Sequence, residues 1–161
     1  MVLGVVLNIN QIDNVVREGS FQLFEGDFTN AGAASSELKN VLKEIGVDEN
    51  VIRRASIAAF EAEMNVIIHG VAGTLFYSIT KEEIRITVTD IGPGIPDINL
   101  AMQEGYSTAP DWVREMGWGA GMGLPNIKKN ADSFTIDTVL GEGTTLEIKF
   151  YLKYFPLPKV D

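Results

Sequence analysis

The chain has 161 residues, a net charge of −9 and no cysteine. That length suits one domain with a real core. The acidic balance argues against a nucleic-acid partner, which asks for a basic face, and the missing thiols exclude disulfides, thiolate catalysis and Cys-ligated zinc. A single nucleotide stays open, because a few N–H donors and one metal ion can hold its phosphates. No apolar run reaches membrane-spanning length, so the expectation is one cytoplasmic domain over 1–161, with a core of about 21–152 and a loose tail over 153–161.

The start, MVLGVVLNIN, is apolar but short and lacks a basic leader, which reads as a strand rather than a signal peptide. FQLFEGDF (Phe21–Phe28) alternates apolar and polar residues like a half-buried strand. Thr29 or Asn30 is the expected cap of a helix to about Ile45, with Leu38, Val41, Leu42 and Ile45 on one face and Gly46 as its stop. Asp48 is the expected cap of a second helix, Glu49 to His69, closed by Gly70. Thr74–Thr80 and Glu83–Asp90 are rich in β-branched and aromatic residues and read as strands joined at Lys81–Glu82. A short helix near Ile98–Gln103 precedes the polar stretch YSTAPDWVREMG. Next come the loop GWGAGMG and a helix from Leu124 to about Ala131, with Pro125 tolerated in its first turn. SFTIDTVL, the turn Gly141-Glu142-Gly143 and TTLEIKFYL form a closing hairpin. This order predicts an α+β fold, a two-layer sandwich with helices on one face of a mixed, mostly antiparallel sheet.

Three features carry chemistry. At about 100° per residue, Glu61, Asn65 and His69 share one narrow stripe of the second helix. Ile57, Phe60, Met64 and Ile68 flank it on one side, Ala58, Ala62 and Val66 on the other, and Ser56 and Glu63 are the expected water-facing positions. A carboxylate in an apolar cleft can serve as a general base, and an amide oxygen can ligate Mg²⁺ that shares phosphates. The same stripe also reads as a second solvated face. His69, at the helix end, reads as a cap of free carbonyls rather than a catalytic group.

The second feature is DIGPGIPD (Asp90–Asp97) at the end of a strand. A carboxylate followed by Gly92 and Gly94 can accept from an exocyclic amine such as adenine's while a flat base lies on bare backbone. The same residues also read as an ordinary turn. The third is the glycine loop. A dinucleotide fingerprint needs a strand before the glycines, and PDWVREM precedes them here. A P-loop needs Lys-Ser/Thr after its last glycine, and Leu124 follows Gly123.

Together and in this order, the features resemble the nucleotide boxes of the Bergerat (GHKL) superfamily of ATPases and kinases. Glu61-x-x-x-Asn65 resembles its N box, Asp90-x-Gly92-x-Gly94 its first glycine box, Gly119-x-Gly121-x-Gly123 its second and Gly143-Thr144-Thr145 its third. The nearest likeness is to small anti-sigma serine/threonine kinases, through NVIIHG (Asn65–Gly70) and the lid residues Tyr106–Gly117. Stressosome switch kinases are similar through GAGMGLP (Gly119–Pro125).

The resemblance implies ATP and Mg²⁺. It gives Asp90 the adenine amine, with Thr145 helping through a water and Gly92, Gly94 and Ile95 lining the base. Asn65 holds the metal, and backbone N–H groups of Gly119, Ala120, Gly121, Met122, Gly123 and Leu124 hold phosphates. Gln103–Met116 forms a lid. From it Arg114 either reaches the γ-phosphate or stays a solvated lid residue, while Lys128 and Lys129 read as a solvated helix face. Glu61 takes the proton of an incoming hydroxyl. The implied partner is a STAS-type anti-anti-sigma-like protein or a sigma factor, with homodimerisation possible. The alternative is a nucleotide-gated module that sequesters a regulator with little turnover.

Overall fold

The structure, a computed structural model, describes residues 15–117 and 121–153. In chain order the elements are β1 (Val15–Phe24), α1 (Ala33–Ile45), α2 (Glu49–His69), β2 (Ala72–Thr80) and β3 (Glu83–Ile91). They continue as α3 (Ile98–Ala101), α4 (Asp111–Glu115), α5 (Gly123–Asn130), β4 (Ser133–Val139) and β5 (Gly143–Tyr151). The expected strand in MVLGVVLNIN lies outside the described residues, as do Gly119, Ala120 and all of the expected tail but Lys153.

Among the described residues five strands form one sheet in the order β1-β2-β3-β5-β4, and every pairing is antiparallel. Alternation with period two sorts the side chains. Leu75, Tyr77 and Ile79 of β2, Ile84, Ile86 and Val88 of β3, and Leu146, Ile148 and Phe150 of β5 are all buried against the helices. The helices lie on that face, which makes the α+β two-layer arrangement expected from the element order. α2 is the central helix. Ala55, Ala58, Ala59 and Ala62 are fully buried along it, and such small side chains let α1, α5 and the sheet approach it closely.

Two rungs tie α5 antiparallel to α2. Near one end Arg54 donates to the carbonyl of Asn130 at 2.8 Å and meets Asp132 at 3.3 Å. Near the other, Asn126 Nδ2 donates to Glu61 Oε1 at 3.2 Å. Asp48 caps α2 as expected, accepting from Asn50 N at 3.0 Å and Val51 N at 3.4 Å.

The structure corrects the start of α1 and the burial of Glu63. β1 ends at Phe24 rather than continuing to Phe28, because Glu25 N and Gly26 N turn to the carbonyls of Val71 and Ile67 at 3.0 and 2.8 Å. α1 begins only at Ala33, and its N-cap, Gly32, has no side chain to offer. Neither Thr29 nor Asn30 caps it; Asn30 bonds Asp27 instead. The cap comes from α2. Glu63 Oε1 accepts from Gly32 N at 3.0 Å and Ala34 N at 3.3 Å, and Oε2 accepts from Ser35 N at 3.1 Å. Glu63, expected in water, is 1% exposed. The positive end of α1 and its unpaired N–H groups take the place of solvent.

Candidate active site

A cavity of about 460 Å³ opens between α2, the N-terminus of α5, the β3–α3 turn and the segment before α4, a size that suits a small ligand. Glu61, Asn65 and His69 all line it, so the stripe faces a cleft and not solvent. Phe60, Met64 and Ile68 supply the apolar wall beside them. Eight residues of helix separate the ends of the stripe, about 12 Å, so the cavity has two distinct ends.

Asp90 marks one end. It continues the inward row of Ile84, Ile86 and Val88, and is the member of that row that reaches the cavity. Burial pushes its carboxyl above the usual 3.8, while a backbone hydrogen bond from Thr144 pulls the other way. Gly92 is buried against it: a Cβ there would stand 3.0 Å from Asp90 Oδ1. Gly94 has φ +76°, and a Cβ would press within 2.7 Å of the Val139 carbonyl, so only glycine fits this turn. Ile95 lines the cavity with its N–H bonded to Thr138 Oγ1 at 2.9 Å. His69 stands on the last turn of α2, and burial pulls its imidazole below the usual 6.5, which favours the neutral form at pH 7.

Glu61 and the start of α5 mark the other end. Gly121, Met122, Gly123 and Leu124 line the cavity there, and a helix N-terminus is an anion-binding feature. Glu61 Oε2 lies 3.3 Å from the place a Cβ at Gly123 would occupy, so the carboxylate rests on the first residue of α5. Gly119 and Ala120 fall outside the described residues.

Tyr106, Ser107 and Thr108 border the cavity ahead of α4. Val113 turns inward and is 1% exposed, and the Trp112 ring meets Phe28 edge-on at 5.8 Å.

Three expected site residues among those described do not line the cavity: Gly92, which is buried against Asp90 and the end of α2, Thr145 and Arg114. Thr145 pairs with Thr89 on the opposite face of the sheet, its hydroxyl 3.4 Å from that of Thr89. Thr144, opposite Asp90, is the threonine that lines the cavity. A one-residue step along a strand changes face, and the inward row Leu146, Ile148, Phe150 already places even-numbered residues of β5 on the cavity side. Arg114 is exposed, and its guanidinium donates to the Ser107 carbonyl at 2.8 Å rather than reaching the cavity. Sequence reasoning also passed over Asn126, since an asparagine one turn into a helix carries no signal by itself. His69 it read as a helix cap.

The histidine kinase-like ATPase domain matches this chain over residues 24–150. The chain belongs to the histidine kinase-like ATPase domain family. It is 32% identical over 119 residues to the serine/threonine-protein kinase RsbT of Bacillus subtilis (strain 168), covering 71% of this chain and 84% of that one. It is 34% identical over 98 residues to an anti-sigma F factor of Bacillus licheniformis, covering 57% of this chain and 64% of that one. An anti-sigma F factor of Clostridium acetobutylicum is 32% identical over 120 residues, 71% of this chain and 76% of that one. Within the family, this ATPase domain groups with serine/threonine-protein kinases.

ATP is the nucleotide of such domains, and the cavity residues fit it. An acceptor carboxylate and bare glycine backbone suit an aminopurine at one end, and a helix N-terminus suits phosphates at the other. Among the described residues no group of three or more His, Asp or Glu forms a ready metal cage. Asn65 brings one side-chain amide to the cavity, and an amide oxygen is a ligand type that suits a hard cation sharing phosphate oxygens. No helix among the described residues is long and apolar enough to cross a membrane.

Proposed function

We propose that this ATPase domain transfers the γ-phosphate of Mg·ATP to a serine or threonine hydroxyl of a small STAS-type regulatory protein, with Glu61 as general base. The observation that carries the proposal is the polarity of the cavity. Asp90 stands at one end, and Glu61 at the other, against the first turn of α5. Adenine bound through Asp90 sends its phosphates toward the N–H groups of Gly121–Leu124 and toward Glu61. Asn65, midway along the stripe, is the amide that would share Mg²⁺ with the phosphates.

In the transfer, the acceptor oxygen bonds to the γ-phosphorus as the bond from that phosphorus to the β,γ-bridging oxygen breaks. ADP leaves, and the hydroxyl proton passes to Glu61. Positive charge near the transferring group would come from a metal held at Asn65 and from the helix end, while Arg114 is bonded to Ser107.

A second reading is supported by the anti-sigma F factor relatives: a nucleotide-gated module that holds a sigma factor with little turnover. Glu61→Gln separates the two. A kinase keeps Mg·ATP affinity by calorimetry and loses transfer from [γ-³²P]ATP to a purified STAS-domain protein by at least about 100-fold. Unchanged transfer in Glu61→Gln would remove Glu61 as the base, and no label from the wild-type protein would favour sequestration.

A further inference from the structure

We propose that Asn126 is a positioning residue that orients the Glu61 carboxylate for proton abstraction and couples it to the phosphate-binding end of α5. The inference rests on Glu61 being the base. Asn126 lies on α5 three residues after Gly123, and its Nδ2 donates to Glu61 Oε1 at 3.2 Å. An ionised carboxylate only accepts, so the amide must present its nitrogen there. The bond joins groups 65 positions apart in the chain and is part-buried.

The amide itself sits on a held backbone. Asn126 N donates to the Met122 carbonyl at 2.8 Å. Its own carbonyl accepts from Asn130 Nδ2 at 2.8 Å, and the Asn130 carbonyl accepts from Arg54 of α2, also at 2.8 Å. The donor is thus carried by a helix fastened to α2 at a second point. Glu61 Oε2 meanwhile rests over Gly123. One oxygen is engaged by the amide, which leaves the other to face the cavity.

A neutral donor suits this task. Lysine or arginine at this position would place a full positive charge on the base and oppose its taking a proton. An amide fixes direction without adding charge. Asn126 and Gly123 also share one helix, so phosphates drawn to the N-terminus of α5 settle in register with the base. The geometry of transfer then depends on Asn126, while the affinity for nucleotide does not, because Asn126 is not among the residues lining the cavity.

The test compares Asn126→Ala and Asn126→Asp with Glu61→Gln and the wild type. Single-turnover transfer from [γ-³²P]ATP to a purified STAS-domain protein is measured beside calorimetric binding of Mg·AMP-PNP. Asn126→Ala is expected to bind the analogue within about twofold of the wild type and to transfer about tenfold more slowly. Asn126→Asp is nearly isosteric but has no N–H to give and sets like charge against Glu61. It is expected to transfer no faster than Asn126→Ala, because the repelled Glu61 carboxylate turns from the direction the amide fixed. A packing role alone predicts the reverse order, since Asp preserves the volume that Ala removes.

Wild-type transfer rates in both Asn126 variants, alongside a collapse in Glu61→Gln, would overturn the role of Asn126 and leave Glu61 standing. Losses that merely track nucleotide affinity would overturn it too. Wild-type transfer in Glu61→Gln would instead overturn the base and, with it, the positioning role.

Discussion

Two carboxylates on the same helix, two residues apart, have different tasks because of what covers them. Glu61 opens on the cavity, while Glu63 is 1% exposed and receives the N–H groups of Gly32, Ala34 and Ser35. A helical wheel sees only that both are polar. It cannot see that α1 lies with its N-terminus on the side opposite Glu61, so Glu63 reads as solvated. Removing it strands buried donors. Glu63→Ala is expected to lower the unfolding free energy by about 3 kcal/mol in urea denaturation, and a loss below about 0.5 kcal/mol would place Glu63 among ordinary surface residues. Asp90 was legible as an acceptor, and its environment adds a pH dependence. Its folded pKa is raised by burial. Between the usual 3.8 and that raised value, the folded state binds the proton more than the unfolded one, so the nucleotide-free protein loses stability as pH rises through this window. ATP binding has the opposite sign, because the adenine amine needs the ionised acceptor. Calorimetry is expected to show ATP affinity falling as pH drops through the raised pKa of Asp90, with that limb absent in Asp90→Asn.

At the scale of elements, β2, β3 and α2 were legible because period two and period 3.6 run through them without interruption. The end of β1 and the short helix α4 were not. Gly26 turns the chain after Phe24, and α4 is set by tertiary contacts of Val113 and Trp112 more than by a repeat. The choice between Thr144 and Thr145 was open to a parity count from Leu146, Ile148 and Phe150. In the glycine loop, Gly121 leaves no room for a side chain. Gly121 has φ +79°, its carbonyl accepts from Gly105 N at 3.0 Å, and a Cβ would fall 2.5 Å from the Gly105 carbonyl carbon. Gly121→Ala is expected to push the Gly105–Tyr106 backbone off the loop. ATP affinity should fall at least about tenfold, while the melting temperature without nucleotide shifts by only a few degrees, about what 1–2 kcal/mol produces. Equal ATP affinity in the two proteins would show that this contact does not shape the cavity.

Over the whole molecule, the sheet and α2 act as one ruler. The inward row of β3 delivers Asp90 to one end of the cavity, and the stripe on α2 delivers Glu61 to the other, where α5 is fastened by Asn126 and Arg54. Sequence pattern predicts both rows separately. What it does not predict is their common direction, which comes from the antiparallel pairing of α2 with α5 and of β3 with β5. That direction is the central claim, because it decides where chemistry occurs. A structure with Mg·AMP-PNP bound tests it most directly. The adenine amine is expected on the Asp90 carboxylate and the γ-phosphate at the N-terminus of α5, facing Glu61. A nucleotide bound the other way round, with its phosphates toward His69, or bound outside this cavity, would contradict it.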